Sequence, residues 1–392
     1  MHLAILLDER ITDWEAKGEI LPGYFNPADA FDQVTIIGLP MDNPGLDTIR
    51  DLSGKAQSAF ISMGLDRKWL ALALVVPGLA CLKWALRPLL RQFAASRPDI
   101  IRAYGDGMAA GAAWVIGEAL GIPYVVSLHT TPDPRRLSQF ATPRDRLWRR
   151  LLRKAVRPAL AKAGHVIAVY SPILGFLPPA VRDKTTVIPN VVAAGTEKRS
   201  ETPDPDVPAA DAALHVLWVG RLIPGRDPGP VVEAVLNTPD VYLTIVGDGP
   251  LRPIVQGRVA SHPEGVRVNF IPSLPNSQLV ARLAGWDVLA VRTDYAELAK
   301  PVMEAALAGL AVIVNREPSQ SLEEYKGFPA IFVDATPASY AAAFTRLLND
   351  RAGLRILAED VRQESWRRWN PRDVALRAAD VMRNVAEEHL ES

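Results

Sequence analysis

Val241-Tyr242-Leu243-Thr244-Ile245-Val246-Gly247-Asp248-Gly249-Pro250-Leu251-Arg252 reads as a strand running into a glycine turn. The run offers apolar or β-branched groups to both faces. A strand needs that only when helices cover its sheet on both sides, which is the condition of a parallel sheet. Gly247 and Gly249 allow a tight turn and close approach of backbone. Taken alone this is a common α/β feature. The dinucleotide fingerprint Gly-x-Gly-x-x-Gly is not completed, because Arg252 stands where its third glycine belongs.

The same pattern recurs on either side. In the second half, strands are expected at His215–Gly220, Val241–Gly247, Val266–Pro272, Asp287–Arg292, Ala311–Arg316 and Ala330–Asp334. In the first half they are expected at His2–Asp8, Gln33–Leu39, Asp99–Tyr104, Tyr124–His129, His165–Tyr170 and Thr185–Pro189. Between them lie helical patterns such as Met108–Leu120, with Gly121 as the stop. Strands alternating with helices imply an α/β chain of doubly wound parallel sheets, which bind ligands at the carboxyl ends of their strands. Two such halves facing each other would enclose a central cleft.

The boundaries follow from composition. Residues 1–193 form the first domain. Residues 194–213 form a linker, rich in proline (Pro203, Pro205, Pro208) and small residues. Residues 214–370 form the second domain. The pattern Val361–Asn370 is helical and stops at Asn370-Pro371, and a further helix follows from Asp373. Such a break would let residues 371–392 cross back to the first domain.

Composition narrows the function. At 392 residues the chain has room for two cores. Its 44 basic residues balance its 44 acidic ones, so net charge points to no polyanionic partner. No helix-turn-helix or aromatic RNA-binding signature speaks for nucleic acid. The lone Cys81 forms no disulfide within the chain and suits a reducing cytoplasm. The N-terminal run Met1–Leu7 lacks a basic lead and the length of a signal peptide, and reads as a buried first strand. The longest uncharged apolar run, Trp69 to Leu82, contains Pro77-Gly78 and falls short of the roughly 20 residues needed to span a bilayer.

Three loops carry candidate chemistry. Val219-Gly220-Arg221-Leu222-Ile223-Pro224-Gly225-Arg226-Asp227 puts two arginines in a turn after a strand, a placement suited to a diphosphate or to plain solvation. Gly247-Asp248-Gly249-Pro250 is the second. The third runs from Asp294 to Gly309. There Pro301 is placed to begin a helix, with Leu298, Ala299 and Lys300 at its entrance. A helix N-terminus offers unpaired N–H groups to a phosphate. Glu304 lies one turn inside.

In this order, the three pieces resemble the C-terminal half of retaining glycosyltransferases of the GT-B fold, family 4. The likeness reaches the first half through Lys17-Gly18-Glu19-Ile20, Tyr24-Phe25-Asn26-Pro27, Gly121 to His129, and Val187-Ile188-Pro189-Asn190. The resemblance implies two Rossmann-like domains and a nucleotide-sugar donor, UDP- or GDP-linked, with no cofactor. It implies that Arg221 clamps the donor diphosphate and that Arg226 stands where lysine is more usual. Glu304 matches the glutamate on the donor ribose, and His129 matches a histidine near the donor sugar. Gly247 and Gly249 belong to the donor loop. Gly18 is expected in the first strand–helix loop, where its amide would meet phosphate. The implied chemistry is retaining transfer, with the acceptor hydroxyl arriving on the face that the phosphate leaves.

The chain departs from the pattern in two further places. Eight residues before Glu304 stands Ala296, not glutamate, and Glu297 is the nearest acid. Either Glu297 takes the role through a one-residue shift, or that role is lost. After Asn190 the chain reads Val191-Val192-Ala193 where the pattern has Gly-Val-Asp.

No metal site is expected. Histidines are scattered, and Asp204-Pro205-Asp206 falls in the linker. Residues 135–157 hold nine basic residues and one acid, interleaved with Leu147, Trp148, Leu151 and Leu152. Residues 67–93 add Lys68, Lys83, Arg87 and Arg91 around Trp69 and Trp84. Such segments suit an anionic membrane surface or a solvated helix face. The leading expectation is a metal-independent hexosyltransferase acting on a glycan or lipid-linked acceptor, cytoplasmic or peripheral on the inner face of the cytoplasmic membrane. Its alternatives are a nucleotide-sugar epimerase on the same fold and a non-catalytic nucleotide-sugar-binding protein.

Overall fold

The computed structural model describes residues 1–65, 80–133, 142, 147, 157–194, 213–319 and 321–391. The linker 194–213 lies outside them but for its two ends, and Asp204-Pro205-Asp206 lies outside altogether. So do residues 67–79 of the first basic segment and all of the second but 142, 147 and 157.

The chain divides into two compact units. One contains Met1–Pro132, Phe140–Val191 and, far along the chain, Arg372–Ser392; the other contains Asp133–Gln139 and Val192–Pro371. The strands of the first are β1 (His2–Leu7), β2 (Gln33–Gly38), β3 (Gln57–Ser62), β4 (Ile100–Tyr104), β5 (Tyr124–Leu128), β6 (His165–Ala168) and β7 (Thr185–Val187). They form one parallel sheet in the order β3-β2-β1-β4-β5-β6-β7. β1 and β4 sit at its centre, where Leu3 pairs with Ile100 and Leu7 with Tyr104. Leu3–Leu7 and Ile100–Tyr104 are buried throughout, as strands covered on both faces must be. β3 is the strand that the apolar pattern does not reveal. It lies at the sheet edge, and Gln57, Ala59 and Ser62 alternate with or flank less exposed neighbours, so no continuous apolar run marks it.

The second unit repeats the plan with β8 (Leu214–Val219), β9 (Val241–Val246), β10 (Val268–Ile271), β11 (Val288–Val291), β12 (Ala311–Asn315) and β13 (Ile331–Val333). The order is β10-β9-β8-β11-β12-β13, again parallel. Arg267 is buried beneath it. Its guanidinium donates to the carbonyls of Val235, Leu236, Thr238 and Val241 at 2.6–2.9 Å. These carbonyls lie at and just beyond the end of helix Gly229–Leu236, where a cation complements the helix dipole.

In each sheet the path reverses between the first strand and the fourth: between β1 and β4, and between β8 and β11. Crevices at such reversals, outside the carboxyl ends of the strands, are where doubly wound sheets bind ligands.

The two terminal helices are Arg351–Trp369 and Pro371–Glu391. The first is tied to the second unit by Trp366 Nε1 donating to the Leu307 carbonyl at 3.1 Å. Asn370 and Pro371 break the path, and the final helix packs on the first unit. It buries Val374, Ala378, Met382, Val385 and Ala386 in that unit's core. Arg377 and Arg383 donate to the carbonyls of Val187 and Ala30 at 2.8 and 3.1 Å. The crossing back of the C-terminal helix is thus observed.

Candidate functional site

In the second unit, three strand-end loops meet at the chain reversal. The loop after β8 is joined to the loop after β9: Leu222 N–H donates to the Asp248 carbonyl at 2.9 Å, and Leu251 N–H to the Leu222 carbonyl at 3.0 Å. The approach is close enough to demand glycine. A Cβ on Gly247, whose φ is 150°, would sit 1.9 Å from the Gly220 carbonyl oxygen. Arg221 stands exposed at the head of this loop, and the turn Ile223–Arg226 is closed by the Arg226 N–H donating to the Ile223 carbonyl at 2.8 Å.

The loop after β11 is pinned to that turn. Asp294 N–H donates to the Gly225 carbonyl at 3.0 Å, and Arg292 Nη1 to the Pro224 carbonyl at 3.3 Å. Asn315, at the end of β12, clasps Thr293 from below through both its amide groups, at 2.8 and 2.9 Å. The loop then brings Glu297 to Arg226, with Nη2 and Oε2 2.5 Å apart. The Arg226 guanidinium also lies over the Tyr295 ring, 5.7 Å from its centroid. Burial pulls that guanidinium down, but Glu297 beside it more than offsets the pull, so Arg226 is held above the ordinary arginine range. It is a permanent cation.

Helix Lys300–Leu307 follows, with Ala299 as its N-cap and Pro301 in its first turn. Leu298 is buried beneath the entrance. Glu304 is 4% exposed, and its Oε1 accepts from Asn276 Nδ2 at 2.8 Å. So Arg221, Arg226, Gly247, Gly249, Glu297, Leu298, Ala299, Lys300 and Glu304 all belong to one edge of one sheet. Asn276 and Tyr295 are residues that the motifs do not reveal. Asn276 follows Pro275 at a helix start, and nothing in that spacing announces a partner 28 positions on.

His129 lies in the first unit, after β5. Its ring stacks on Tyr104 (centroids 5.0 Å apart, planes at 10°), and its Nδ1 is 2.9 Å from Asn190 Oδ1. This contact and the stacking on Tyr104 fix the orientation of the ring. Tyr104 continues into an aromatic group with Tyr24 and Phe25, at 5.9 and 5.1 Å. Burial pushes the Tyr24 hydroxyl up to about 12, so it stays protonated.

Gly18 is not where its motif suggests. It is the C-cap of helix Ile11–Lys17, with φ at 66°. Its N–H donates to the Glu15 carbonyl, and that of Glu19 to the Trp14 carbonyl, both at 2.9 Å. Its glycine character serves the left-handed cap, so its amide is spent closing the helix and does not lie in the strand–helix loop. At the head of helix Met108–Leu120 in the same unit, the Met108 N–H is taken by Asp8 Oδ2 at 2.9 Å.

Among the described residues, no three His, Cys, Asp or Glu side chains gather as a metal site, and no helix is long and apolar enough to cross a membrane.

Two Rossmann-like units, one with a polar edge of fixed arginines and a helix N-terminus, define a protein of the GT-B class. Comparison with known proteins agrees. Residues 66–194 match the model of Glycosyltransferase Family 4, and residues 204–365 that of glycosyl transferases group 1. The chain belongs to this glycosyltransferase family. It is 27% identical to the 2-deoxystreptamine glucosyltransferase of Streptomyces kanamyceticus over 64% of this chain and 65% of that protein, somewhat less than two thirds of the relative's length. The fold is similar to that of sucrose-phosphate synthase from Thermosynechococcus elongatus, with a TM-score of 0.71, 18% identity and coverage of 98% and 99%. It is also similar to Anabaena HepE in complex with UDP-glucose, with a TM-score of 0.70, 16% identity and coverage of 98% and 100%.

Proposed function

We propose that this protein is a retaining glycosyltransferase. It moves a hexose-type sugar from a UDP- or GDP-linked donor to a glycan or lipid-linked acceptor, without a metal ion, in cell-surface polysaccharide or glycolipid assembly. The observation that carries this reading is the convergence of Arg221, Arg226 and the Lys300–Leu307 N-terminus on the carboxyl edge of the second sheet, at its chain reversal. Fixed guanidinium groups and helix N–H groups meet the charge that grows on a departing diphosphate. Glu304, steadied by Asn276, takes the donor ribose. The first unit takes the acceptor, and His129 serves the donor sugar by its position in the family pattern. HepE, of like fold, holds UDP-glucose, which supports a nucleotide-sugar donor here.

The test is calorimetric titration with UDP, GDP, ADP and dTDP in the absence of metal, beside Arg221→Ala. One nucleotide binds, and the variant weakens it about tenfold or more, as loss of a charge-assisted contact does. Transfer of labelled sugar to a lipid acceptor, with the product anomer read by NMR, then checks retention. A wild-type protein that binds none of the four would sink the donor site.

Membrane association is supported by helices Ala80–Ala85 and Arg87–Ala95. Lys83, Arg87 and Arg91 are exposed there, with Trp84 59% exposed beside them. A basic face with tryptophan suits anionic headgroups. The protein should sediment with anionic vesicles and not with neutral ones. Lys83→Glu with Arg87→Glu should abolish this, and indifference to lipid charge would overturn it.

A further inference from the structure

We infer that Glu297 is a positioning residue for Arg226, the second cation of the diphosphate clamp, and not an acid that touches the donor sugar. The inference rests on the donor site proposed above and deepens it. Two departures from the family pattern meet in space. Arginine replaces lysine at 226, and the acid expected at 296 stands at 297, with Ala296 in its place. The displaced acid turns to the substituted base, at 2.5 Å.

The chemistry agrees. A lysine ammonium presents its three donors from one nitrogen, so a carboxylate at this distance and a phosphate would crowd the same point. A guanidinium has five donors in a planar fork, so one nitrogen can hold Glu297 while others face a phosphate. Here Nη2 is given to Glu297, and the guanidinium keeps further donors beside it. The pair is built in. The Glu297 side chain is 9% exposed and that of Arg226 30%, and Tyr295 lies under the guanidinium. Asp294 and Arg292 bond the same two loops together. An unpaired carboxylate beside a diphosphate would also repel it, and pairing with Arg226 removes that repulsion.

The test measures dissociation constants for the nucleoside diphosphate that the wild type binds and for its glucose conjugate. The variants are Arg226→Ala, Glu297→Gln, their double and Glu297→Asp, with melting temperature as a check on folding. Glu297→Gln weakens both ligands by the same factor, about tenfold. Glu297→Asp, which keeps the charge on a shorter arm, falls between. The double variant binds no worse than Arg226→Ala, because the two residues act as one. The inference is overturned if Glu297→Gln spares the diphosphate and weakens only the glucose conjugate, which marks a sugar contact. It is also overturned if the two losses multiply. A wild type that binds no diphosphate removes the donor site itself, a result distinct from either.

Discussion

Gly247 and Gly257 are ten positions apart and answer to opposite demands. A Cβ at Gly247 would collide with the backbone carbonyl of Gly220 at 1.9 Å, at a φ that side chains rarely adopt. Nothing lies within 4 Å of a Cβ at Gly257, which sits inside helix Arg252–Ala260 and is exposed. Gly247→Ala should therefore cost roughly 2 kcal/mol or more of stability by forcing two loops apart. It should also weaken nucleotide binding, since Arg221 rides on one of those loops. Gly257→Ala should stabilise by about 0.5–1 kcal/mol, by limiting the unfolded chain and favouring helix. Denaturant melts of the two variants read both signs, and a neutral Gly247→Ala would show that the loops yield. Arg267 is a second such point. Arg267→Ala strands the carbonyls that it serves and should cost about 3 kcal/mol.

At the scale of elements, the final helix closes the core of the first unit. Met382 is fully buried in it, among the residues packed around β1 and β2. Met382→Ala should cost about 2–4 kcal/mol, the range for a large-to-small change in a packed core. The exposed Leu390→Ala should cost under about 0.5 kcal/mol. Equal effects at the two positions would mean that the helix is not held there. This helix was legible because Asn370-Pro371 interrupts a helical pattern, a purely local signal. The central strands were legible for a like reason, since burial on both faces leaves an unbroken apolar run. β3 was not, because this edge strand is polar at both ends and its apolar run is only Ala59–Ile61. At the carboxyl edge of the second sheet, the neighbourhood of Arg221, Arg226 and Glu304 could be anticipated from the order of their motifs. The meeting of Arg226 with Glu297, and of Asn276 with Glu304, depends on loops packed from distant parts of the chain, and no spacing records it. Gly18 shows the converse: a glycine read as a phosphate contact is a helix cap, because both uses call for the same backbone freedom.

At the scale of the whole molecule, the described residues include two separate hydrophobic cores, one around β1 and β4, the other around β8 and β11. Each has its own sheet, and the described core residues of one do not appear in the other. Cores that share no side chains give each unit its own enthalpy of unfolding, so scanning calorimetry should resolve two transitions. A nucleotide that binds the folded second unit stabilises only that unit, by about 2.7 kcal/mol at a hundred times its dissociation constant. It should raise one transition and leave the other in place. Gly247→Ala and Arg267→Ala should lower the transition that the nucleotide raises, and Met382→Ala should lower the other. This assigns each peak without cutting the chain. One common transition, moved alike by the nucleotide and by all three substitutions, would mean that the two halves unfold as a single cooperative body and that donor binding is felt through the whole chain.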